Sequence, residues 1–337
     1  MPVVVTMQDV AARAGVSVKT VSNVVNDYPY IRPATRARVE EAIAALGYQV
    51  NVAARNLRQG RTGMIGLALP ELRVPYFAEL ADSVMRAAEA QGLVLLIEQT
   101  GSVGEHEAEV LHGPRRRFTD GLLFSPVAMD PRDHPELDVD YPLVLLGERV
   151  FDAGVDHVTM ANVEGARAAT SHLVERGCRH IAVIGVHPGE AMGSAALRFD
   201  GYLQAVRAAG REFNPRHAGV AQRWVRSTGA VAMAQVLDSG VPVDGVFAMN
   251  DALALGALHV LHSRGLRVPD DVAVIGFDNI DDTEYSEPPL SSIDPGREQI
   301  ADQAVGLLVA RIAGSTAPPR QVVADFALVE RESTAPV

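Results

Sequence analysis

The sequence predicts an all-α headpiece of three short helices followed by a larger α/β body, in which parallel sheets flanked by helices form two lobes. Three observations lead to this fold class. Apolar residues recur at helical spacing over the first sixty residues, whereas short apolar runs alternate with amphipathic helical patterns in the remainder. The chain has 337 residues, so the part that follows the headpiece is also longer than a single compact sheet accommodates.

The headpiece begins with two short helices separated by a glycine. Thr6 and Asp9 have the spacing of a capping box, in which a hydroxyl and a carboxylate three residues apart satisfy the free N–H groups of a first turn. Gly15 provides a turn at which φ can become positive. Ser17 then caps a second helix, which we predict from Val18 to about Asn26.

A third helix braces the first two. We predict that it begins near Pro33, a favourable first-turn residue, and ends at Gly47. This arrangement is typical of a helix-turn-helix, although a three-helix bundle that binds nothing has the same spacing. The exposed side of the second helix favours DNA, because its side chains are short and hydrogen-bonding or basic. These side chains are Val18, Lys19, Thr20, Ser22, Asn23 and Asn26.

Charge separates the two parts of the chain. The net charge is −12, yet residues 1–62 carry eight Lys and Arg against four acidic residues. Because the whole chain has 30 basic and 42 acidic residues, the rest of the chain carries 22 basic and 38 acidic residues. A basic headpiece on an acidic body is expected when only the headpiece contacts phosphates. The single cysteine, Cys178, together with the lack of a secretion signal or a long apolar segment, predicts a cytoplasmic protein.

Two segments, VTMQDVAARAGVSVKTVSNVVN and TRARVEEAIAALGYQVNVAARNLRQGRTGMIGL, resemble the lactose-repressor (LacI/GalR) family of bacterial transcription regulators, and the resemblance extends to the terminal LVERESTAP. It implies a helix-turn-helix DNA-binding domain at 1–49, a hinge helix or linker at 50–62, and an effector-binding and dimerisation domain of the periplasmic-binding-protein type at 63–337. We expect lobe one at about 63–160 and 292–319, and lobe two at about 161–290 and 320–332. Crossovers between the lobes are expected near 157–162, 287–293 and 318–322.

The resemblance also assigns operator contacts to the headpiece. Base-reading positions fall on Val18, Lys19 and Asn23, and phosphate contacts fall on Thr6, Ser17, Thr20, Asn26 and Thr35. Because an arginine is usual where this chain has Asn23, we expect a different half-site preference. Arg32 stands where a capping serine is common, and we expect it to contact a phosphate at some loss of capping.

Residues 51–58 match the family's hinge helix. The resemblance implies that this segment orders only on DNA, where two copies pair in the minor groove, and this agrees with a segment too short to persist alone as a helix. Leu57 is then the wedge that enters between base pairs, Ala54 is small enough for two hinges to approach, and Asn51 begins the contacting segment. A plain linker that contains one leucine is the alternative.

Ligands of open α/β sheets bind outside the carboxyl ends of the strands. Residues near the ends of predicted strands are therefore candidates for a cleft between the lobes, namely Tyr76, Phe77, Ser125, Arg149, Arg198, Trp224, Asn250 and Asp278. Trp224 or Phe77 suits the apolar face of a sugar ring, whereas Arg198, Asn250 and Asp278 can share hydrogen bonds with paired hydroxyls. Alternatively, Tyr76 and Phe77 are core residues at a helix start, and Trp224 closes a loop.

The family resemblance supports part of this set. Arg198 lies in AALRFDGY, which matches the family's effector-arginine motif, and the segments around Asn250 and Asp278 also match. One position departs from the family, because Ala161 stands where an acid is usual.

Two helix caps in the body are predicted as well. We expect Asp251 to cap the helix that follows it rather than to contact a ligand. Since Ala161 provides no side-chain oxygen, we expect the cap of the next helix to fall to Asn162.

These features predict a sequence-specific DNA-binding repressor of a carbohydrate-uptake or catabolic operon, controlled by a small-molecule effector that we expect to be a sugar. We expect a homodimer on a pseudo-palindromic double-stranded operator. A nucleoside- or purine-dependent regulator is the alternative, as are a constitutive DNA-binding protein and a periplasmic-type binding protein without a role on DNA. Phosphate-loop, nucleophile and metal-ligand motifs do not occur, so we expect no enzyme activity, cofactor or metal.

Overall fold

A computed structural model of the chain describes residues 5–25, 28–48, 61–129 and 134–335. The chain divides into two compact units at the junction between Thr62 and Gly63, and each unit is described by itself. In its described part the first unit, the headpiece, contains three helices: α1 (Met7–Ala14), α2 (Val18–Val25) and α3 (Pro33–Leu46).

The helices of the headpiece pack around a small apolar core. Val10, Val21 and Val39, one from each helix, are fully buried. The predicted capping box is confirmed, because the backbone N–H of Thr6 donates to the Asp9 carboxylate at 2.8 Å and the Asp9 N–H donates to Thr6 Oγ1 at 3.4 Å. These bonds fix the start of α1, and the three buried valines fix the faces that the helices turn inward.

The turns of the headpiece also follow the prediction. Gly15 and Gly47 have φ of +61° and +64°, the left-handed conformation that glycine adopts without steric cost. Ser17 Oγ accepts the N–H of Thr20 at 3.1 Å and so caps α2. Arg32 occupies the cap position of α3 without a side-chain capping bond, which agrees with the loss of capping expected there.

The second unit, the body, contains two six-stranded sheets in its described part. The first sheet has the strand order β11-β5-β4-β3-β1-β2, and the second has the order β12-β10-β9-β8-β6-β7. The strands are β1 (Met64–Leu69), β2 (Val94–Gln99), β3 (Leu122–Phe124), β4 (Leu143–Leu146), β5 (Asp156–Met160), β6 (Ile181–Val186), β7 (Ala218–Val220), β8 (Gly245–Ala248), β9 (Ala273–Phe277), β10 (Ser291–Asp294), β11 (Gln321–Ala324) and β12 (Ala327–Val329).

Helices cover both sheets. Their bounds are α4 (Pro75–Ala90), α5 (Gly104–His112), α6 (Asn162–Glu175), α7 (Ser194–Ala208), α8 (Arg226–Asp238), α9 (Asp251–Ser263) and α10 (Arg297–Ile312). Helices α4 and α10 pack on the first sheet and on each other, whereas α6 to α9 pack on the second. We call the first sheet with its helices lobe one, and the second sheet with its helices lobe two.

The parallel pairing of the strands explains why their sequences are so apolar. The described strand pairs are parallel, apart from the antiparallel pair of β10 and β12. Parallel strands are covered on both faces, and β6, β8 and β9 are buried along their whole length. The predicted α/β class, with parallel sheets flanked by helices in two lobes, is confirmed.

The second crossover between the lobes lies later in the chain than predicted. β10 pairs with β9 in the second sheet, so the chain returns to lobe one between Asp294 and Arg297 rather than near 287–293. Residues 291–294 therefore belong to lobe two. Their sequence, Ser-Ser-Ile-Asp followed by Pro-Gly, is polar and turn-like, so the strand did not stand out from a connecting segment.

The third crossover is also displaced. β11 pairs with β5 in the first sheet, so the last crossover lies between Ala324 and Ala327 rather than near 318–322. Residues 321–324 therefore belong to lobe one. β11 and β12 are only four and three residues long, too short for an alternating pattern to mark them.

The predicted cap at Asp251 is wrong, because Asn250 caps α9 instead. Asn250 Oδ1 accepts the Leu253 N–H at 2.9 Å. The Asp251 carboxylate is buried and accepts Ser292 Oγ–H at 2.6 Å and the Ile280 N–H at 3.0 Å. It can lie this close to β9 because position 276 is glycine, where a Cβ would meet Asp251 Oδ1 at 2.0 Å.

The predicted cap at Asn162 is wrong for a similar reason. Asn162 is the first residue of α6, and its side chain turns away from the helix start. Its Nδ2 donates to the Met160 carbonyl at 3.2 Å, and its Oδ1 accepts Arg198 Nε–H at 2.7 Å. A buried guanidinium with several donors competes successfully for an amide oxygen that would otherwise cap the helix.

Candidate functional site

The headpiece presents most of the predicted DNA contacts on its surface. Thr6, Ser17, Val18, Lys19 and Arg32 are exposed, and Thr20, Ser22, Asn23 and Thr35 are partly buried. Asn26, Asn51, Ala54 and Leu57 lie outside the described residues. The hinge interpretation is therefore a prediction from sequence.

Helix α2 has two chemically distinct sides. Val21 and Val24 are buried against the other helices, whereas Lys19 is exposed. Ser17 Oγ and Thr20 Oγ1 lie 2.9 Å apart at the start of the helix. Hydroxyls and N–H groups at a helix N-terminus are suited to a phosphate, and a basic residue in the same turn adds charge. The exposed side can therefore dock on duplex DNA.

Two tyrosines between α2 and α3 are also exposed on the headpiece and were missed by the sequence analysis. Tyr30 is 82% exposed and Tyr28 is 47% exposed, and their rings meet edge to face with centroids 5.5 Å apart. Arg36 donates to the Tyr28 carbonyl at 3.2 Å, which anchors the loop to α3. The signal available in the sequence was a Tyr-Pro-Tyr segment between two predicted helices of a basic headpiece.

In the body, all eight residues predicted for the cleft line one cavity of about 1050 Å³. Ser125 and Arg149 follow β3 and β4 of the first sheet, whereas Asn250 and Asp278 follow β8 and β9 of the second. The cavity thus lies where the carboxyl ends of the two sheets face each other. The rule that ligands bind outside the carboxyl ends of parallel strands therefore identified residues that are far apart in the sequence.

Arg198 is the most constrained residue of the cavity. Its guanidinium is 3% exposed; Nε donates to Asn162 and Nη1 donates to the Met249 carbonyl. Nη1 also lies 3.4 Å from Asp278 Oδ1, and the group stacks over the Phe277 ring at 3.7 Å. With this many partners the guanidinium cannot rotate, so it presents a fixed charge and fixed donor directions to the cavity.

Asp278 faces Arg198 from the neighbouring loop. Its φ is +115°, a conformation that a residue with a Cβ rarely adopts, so the surrounding contacts must hold it there. Burial raises the pKa of Asp278 to about 7, and the guanidinium groups of Arg198 and Arg297 oppose that rise. Near neutral pH this carboxyl can therefore either accept or donate a hydrogen bond.

Aromatic rings form the apolar walls. Trp224 is partly buried, and its Nε1–H donates to the Gly185 carbonyl at 3.0 Å, which fixes the orientation of the indole. Tyr76 and Phe77 meet edge to face with centroids 5.3 Å apart. Burial raises the pKa of Tyr76, so its hydroxyl keeps its proton and is available as a donor.

The outer part of the cavity is lined by charged groups from both lobes. Arg149 of lobe one donates from Nε to the Met129 carbonyl at 2.8 Å and from Nη1 to the Met192 carbonyl at 2.9 Å. Its Nη1 also lies 3.8 Å from Glu190, which accepts from His187 Nδ1 at 2.5 Å. The side chain of Arg149 thus bridges the two lobes.

Two further contacts cross the cavity between the lobes. Glu148 is buried and accepts Thr159 Oγ1–H at 2.8 Å from lobe one and Ser194 Oγ–H at 2.6 Å from lobe two. At the rim, Arg223 of lobe two pairs with both carboxylate oxygens of Glu71 at 2.7 and 2.8 Å. These contacts hold the lobes together around the cavity.

Some of the charged residues in the outer part of the cavity also follow strand ends, so the rule that predicted the other cleft residues could have predicted these as well. Glu148 precedes Arg149 directly after β4, and His187 and Glu190 directly follow β6. The Glu71–Arg223 pair could not have been predicted, because the sequence does not indicate which charged residues of two separate lobes lie close together.

The described residues contain no group of three or more His, Cys, Asp or Glu side chains arranged to hold a metal ion. Among the helices described, none is both long enough and apolar enough to cross a membrane.

Comparison with known proteins agrees with this architecture. Residues 6–51 match the bacterial regulatory proteins of the lacI family, and residues 170–334 match a periplasmic binding protein-like domain. The HTH-type transcriptional regulator CelR of Thermobifida fusca is 35% identical over 335 residues, which cover 97% of this chain and 98% of that protein.

Solved structures give the same result. A structure described as a complex of the transcriptional regulator CelR with cellobiose superimposes with a TM-score of 0.72 at 33% identity, and the match covers 98% of this chain and 99% of that one. The Lac repressor dimer bound to operator and the anti-inducer ONPF superimposes with a TM-score of 0.82 at 25% identity, with the same coverage.

Proposed function

Because this chain belongs to the lacI family of bacterial regulatory proteins and is a helix-turn-helix transcription regulator, we propose that a neutral sugar in the body cavity controls its hold on an operator. The regulated genes then encode uptake or catabolism of that sugar, and the protein acts as a repressor in the cytoplasm. The observation that carries the proposal is the cavity of about 1050 Å³ in which aromatic walls and fixed polar groups from both lobes converge.

The cavity chemistry suits a polyhydroxylated ligand. The Trp224 indole and the Phe77 ring offer flat apolar surfaces for the C–H face of a sugar ring. Arg198, Asn250 and Asp278 offer donors and acceptors at the inner wall, where paired hydroxyls can form two bonds each. The volume of about 1050 Å³ leaves room for more than one sugar ring.

The charge balance favours a neutral ligand over an anionic one. Each guanidinium that lines the cavity already has a carboxylate partner: Arg198 pairs with Asp278, Arg223 with Glu71, and Arg149 with Glu190. A phosphate or carboxylate of a ligand would have to displace one of these acids, and it would also meet the buried Glu148. Sugar phosphates and nucleotides are therefore poor candidates.

On the DNA side, we propose that α2 docks in the major groove through its exposed face. Lys19 and Asn23 then approach base edges, while Ser17, Thr20 and Arg32 contact phosphates. Thr6, Ser22, Asn26, Thr35 and the exposed pair Tyr28 and Tyr30 add to this surface. The hinge contacts of Asn51, Ala54 and Leu57 complete the proposed interface.

We further propose that the working unit is a homodimer. β2 is an edge strand of the first sheet, and Val94, Leu96 and Ile97 on it are 53%, 38% and 38% exposed. Phe118, close by at the adjoining groove, is 63% exposed. An apolar edge of this kind is a liability unless another chain covers it, and the Lac repressor relative is described as a dimer on its operator.

The test uses the single tryptophan, Trp224, as an intrinsic probe. Its fluorescence is titrated with cellobiose, glucose, ribose, glucose 6-phosphate and adenosine, and each compound is then added to the protein bound to operator fragments selected from random duplex DNA. We expect a neutral sugar to change both the fluorescence and the operator affinity. A response to adenosine alone supports the nucleoside alternative, and selected DNA that ignores every compound contradicts the proposal.

A further inference from the structure

An ion pair between Glu79 and Arg297 lies where the chain crosses between the lobes. Arg297 is the first residue of α10 and follows directly on the crossover that leaves the second sheet at Asp294. Its Nη2 lies 3.0 Å from Glu79 Oε2 on α4, and the two side chains are only 19% and 25% exposed. Both helices belong to lobe one.

This pair contacts the backbone of one loop in lobe two. Arg297 Nη1 donates to the Asp278 carbonyl at 3.2 Å, and the Asp281 N–H donates to Glu79 Oε1 at 3.0 Å. The two ends of the 278–281 loop are therefore held by the two members of a single ion pair. Charge-assisted bonds to backbone groups are stronger than neutral ones, and partial burial protects them from screening.

The loop held in this way is the one that presents Asp278 to the cavity. Asp278 and Asn279 have positive φ, +115° and +49°, without being glycines. Backbone in this region persists only when surrounding contacts hold it. Within lobe two, the Asp278 N–H donates to the Ile293 carbonyl at 2.9 Å, the Asn279 N–H to Ser292 Oγ at 3.1 Å, and the Ile280 N–H to Asp251 Oδ2 at 3.0 Å. Among the described residues, the hydrogen bonds that reach this loop from lobe one are those of Arg297 and Glu79.

We propose that Glu79 and Arg297 are positioning residues that hold the Asp278 loop against lobe one, so that the place of the cavity carboxylate and the angle between the lobes change together. Neither residue needs to touch a ligand for this role. If the lobes separate, the Asp278 carbonyl and the Asp281 N–H lose these partners, and the loop keeps only its contacts within lobe two. These contacts do not depend on any ligand. That an effector uses them to change the angle between the lobes is the only part that rests on the proposed function.

A neighbouring ion pair provides a matched control. Arg86, also on α4, pairs with Glu298 of α10 at 2.7 Å, but these side chains are 58% and 64% exposed. The pair joins the same two helices and, among the described residues, forms no hydrogen bond or ion pair with the 278–281 loop. Exposed pairs of this kind contribute little to stability, so Arg86→Gln should leave the lobe angle unchanged.

The experiment uses the full chain without ligand or DNA. Glu79→Ala removes the acceptor for the Asp281 N–H, Glu79→Gln keeps an acceptor oxygen but removes the charge, and Arg297→Met removes the donors. Two quantities are measured in each variant and in Arg86→Gln: quenching of Trp224 by acrylamide, and deuterium exchange of the amides in a peptide that contains residues 278–283. Urea unfolding confirms that each variant is folded.

We expect Glu79→Ala and Arg297→Met to raise the acrylamide quenching constant about twofold or more, because the cavity opens. Exchange at the Asp281 amide should become about tenfold faster in Glu79→Ala, which corresponds to the loss of one hydrogen bond. Glu79→Gln should fall between wild type and Glu79→Ala, and it carries the test if Glu79→Ala does not fold. Arg86→Gln should match wild type in both measurements.

Wild-type quenching and exchange in folded Glu79 and Arg297 variants would overturn the inference. The same is true if Arg86→Gln changes both quantities as much as they do, since helix packing would then be the cause. This outcome is distinguishable from a failure of the proposed function. Sugars that change neither the Trp224 fluorescence nor the operator affinity of the wild-type protein contradict the effector role. The difference in acrylamide quenching between the variants and wild type, measured without ligand, tests the loop contacts alone.

Discussion

Replacement of Arg198 by methionine tests the inner wall of the cavity most severely. Methionine keeps much of the apolar stem but removes the charge and the donors that contact Asn162, Met249 and Asp278. A hydrogen bond to a charged group contributes about 1.5–3 kcal/mol. If one sugar hydroxyl bonds to this guanidinium, we expect its Kd to rise about 10- to 150-fold.

The substitution also changes the protein without ligand. The Arg198 guanidinium counteracts the effect of burial on Asp278, so its loss should raise the pKa of that carboxyl further above 7. The carboxyl then stays protonated at neutral pH, which avoids the larger cost of an unpaired buried charge. Stability should therefore fall by about 1–3 kcal/mol, the cost of the unsatisfied polar groups that remain.

The assay is titration of Trp224 fluorescence with the sugar that acts on wild type, combined with urea unfolding and operator binding. Arg207→Met serves as the control, because Arg207 is exposed on the same helix, α7. We expect Arg198→Met to keep operator binding and to lose the response to sugar, and Arg207→Met to keep both. An unchanged sugar Kd in Arg198→Met would refute the role of the guanidinium at the inner wall.

Three further predictions concern DNA, pH and the hinge. Lys19→Ala should relax the base preference at one operator position, at a cost of about 1–3 kcal/mol on the preferred sequence, because Lys19 approaches a base edge there; an unchanged sequence preference together with an unchanged salt dependence would remove Lys19 from the interface. The pKa of Asp278 is raised on folding, so the native state holds a proton that the unfolded chain releases, and the free energy of unfolding should fall as pH rises from about 4 to about 7. Measured by urea unfolding, the free energy of unfolding should vary less with pH in Asp278→Asn than in wild type. The same pH dependence in both proteins argues against the raised pKa of Asp278. Leu57→Ala should weaken operator binding in a gel-shift assay while the sugar Kd stays the same, because the wedge acts only in the minor groove; equal operator affinity contradicts the hinge interpretation.

Much of the body was predictable because strand ends in parallel sheets share one edge. The eight residues assigned to the cleft lie in separate segments from Tyr76 to Asp278, yet they line one cavity. The long apolar strands such as β1, β6 and β9 are recognisable from composition alone, since both their faces are buried.

The short strands were not predictable in the same way. Ser291 and Ser292 of β10 are buried polar residues whose hydroxyls bond to the C-terminal segment and to Asp251. A serine pair before Pro-Gly has the local pattern of a turn, and only its tertiary partners make it a strand. The second lobe crossover was displaced for this reason, and the third was displaced because β11 and β12 are too short for an alternating pattern to mark them.

Tertiary contacts between side chains of different helices were also beyond the sequence. Helix-cap rules consider neighbours along the chain, so they assigned Asn162 to a cap, whereas Arg198 takes its amide oxygen. Similarly, Glu79 and Arg297 have ordinary surface patterns on amphipathic helices, and their pairing depends on how α4 and α10 pack. Charges that meet through tertiary packing leave no periodic signal.

The most direct measurement is the operator affinity of the full-length protein at fixed salt, with and without a sugar at a concentration that saturates the Trp224 signal. A ligand that couples the cavity to DNA should change the operator Kd by about 5- to 150-fold, and operator DNA should change the sugar Kd by the same factor. An operator Kd that stays constant while Trp224 reports full occupancy would contradict the account, because binding in the cavity and binding to DNA would then be independent.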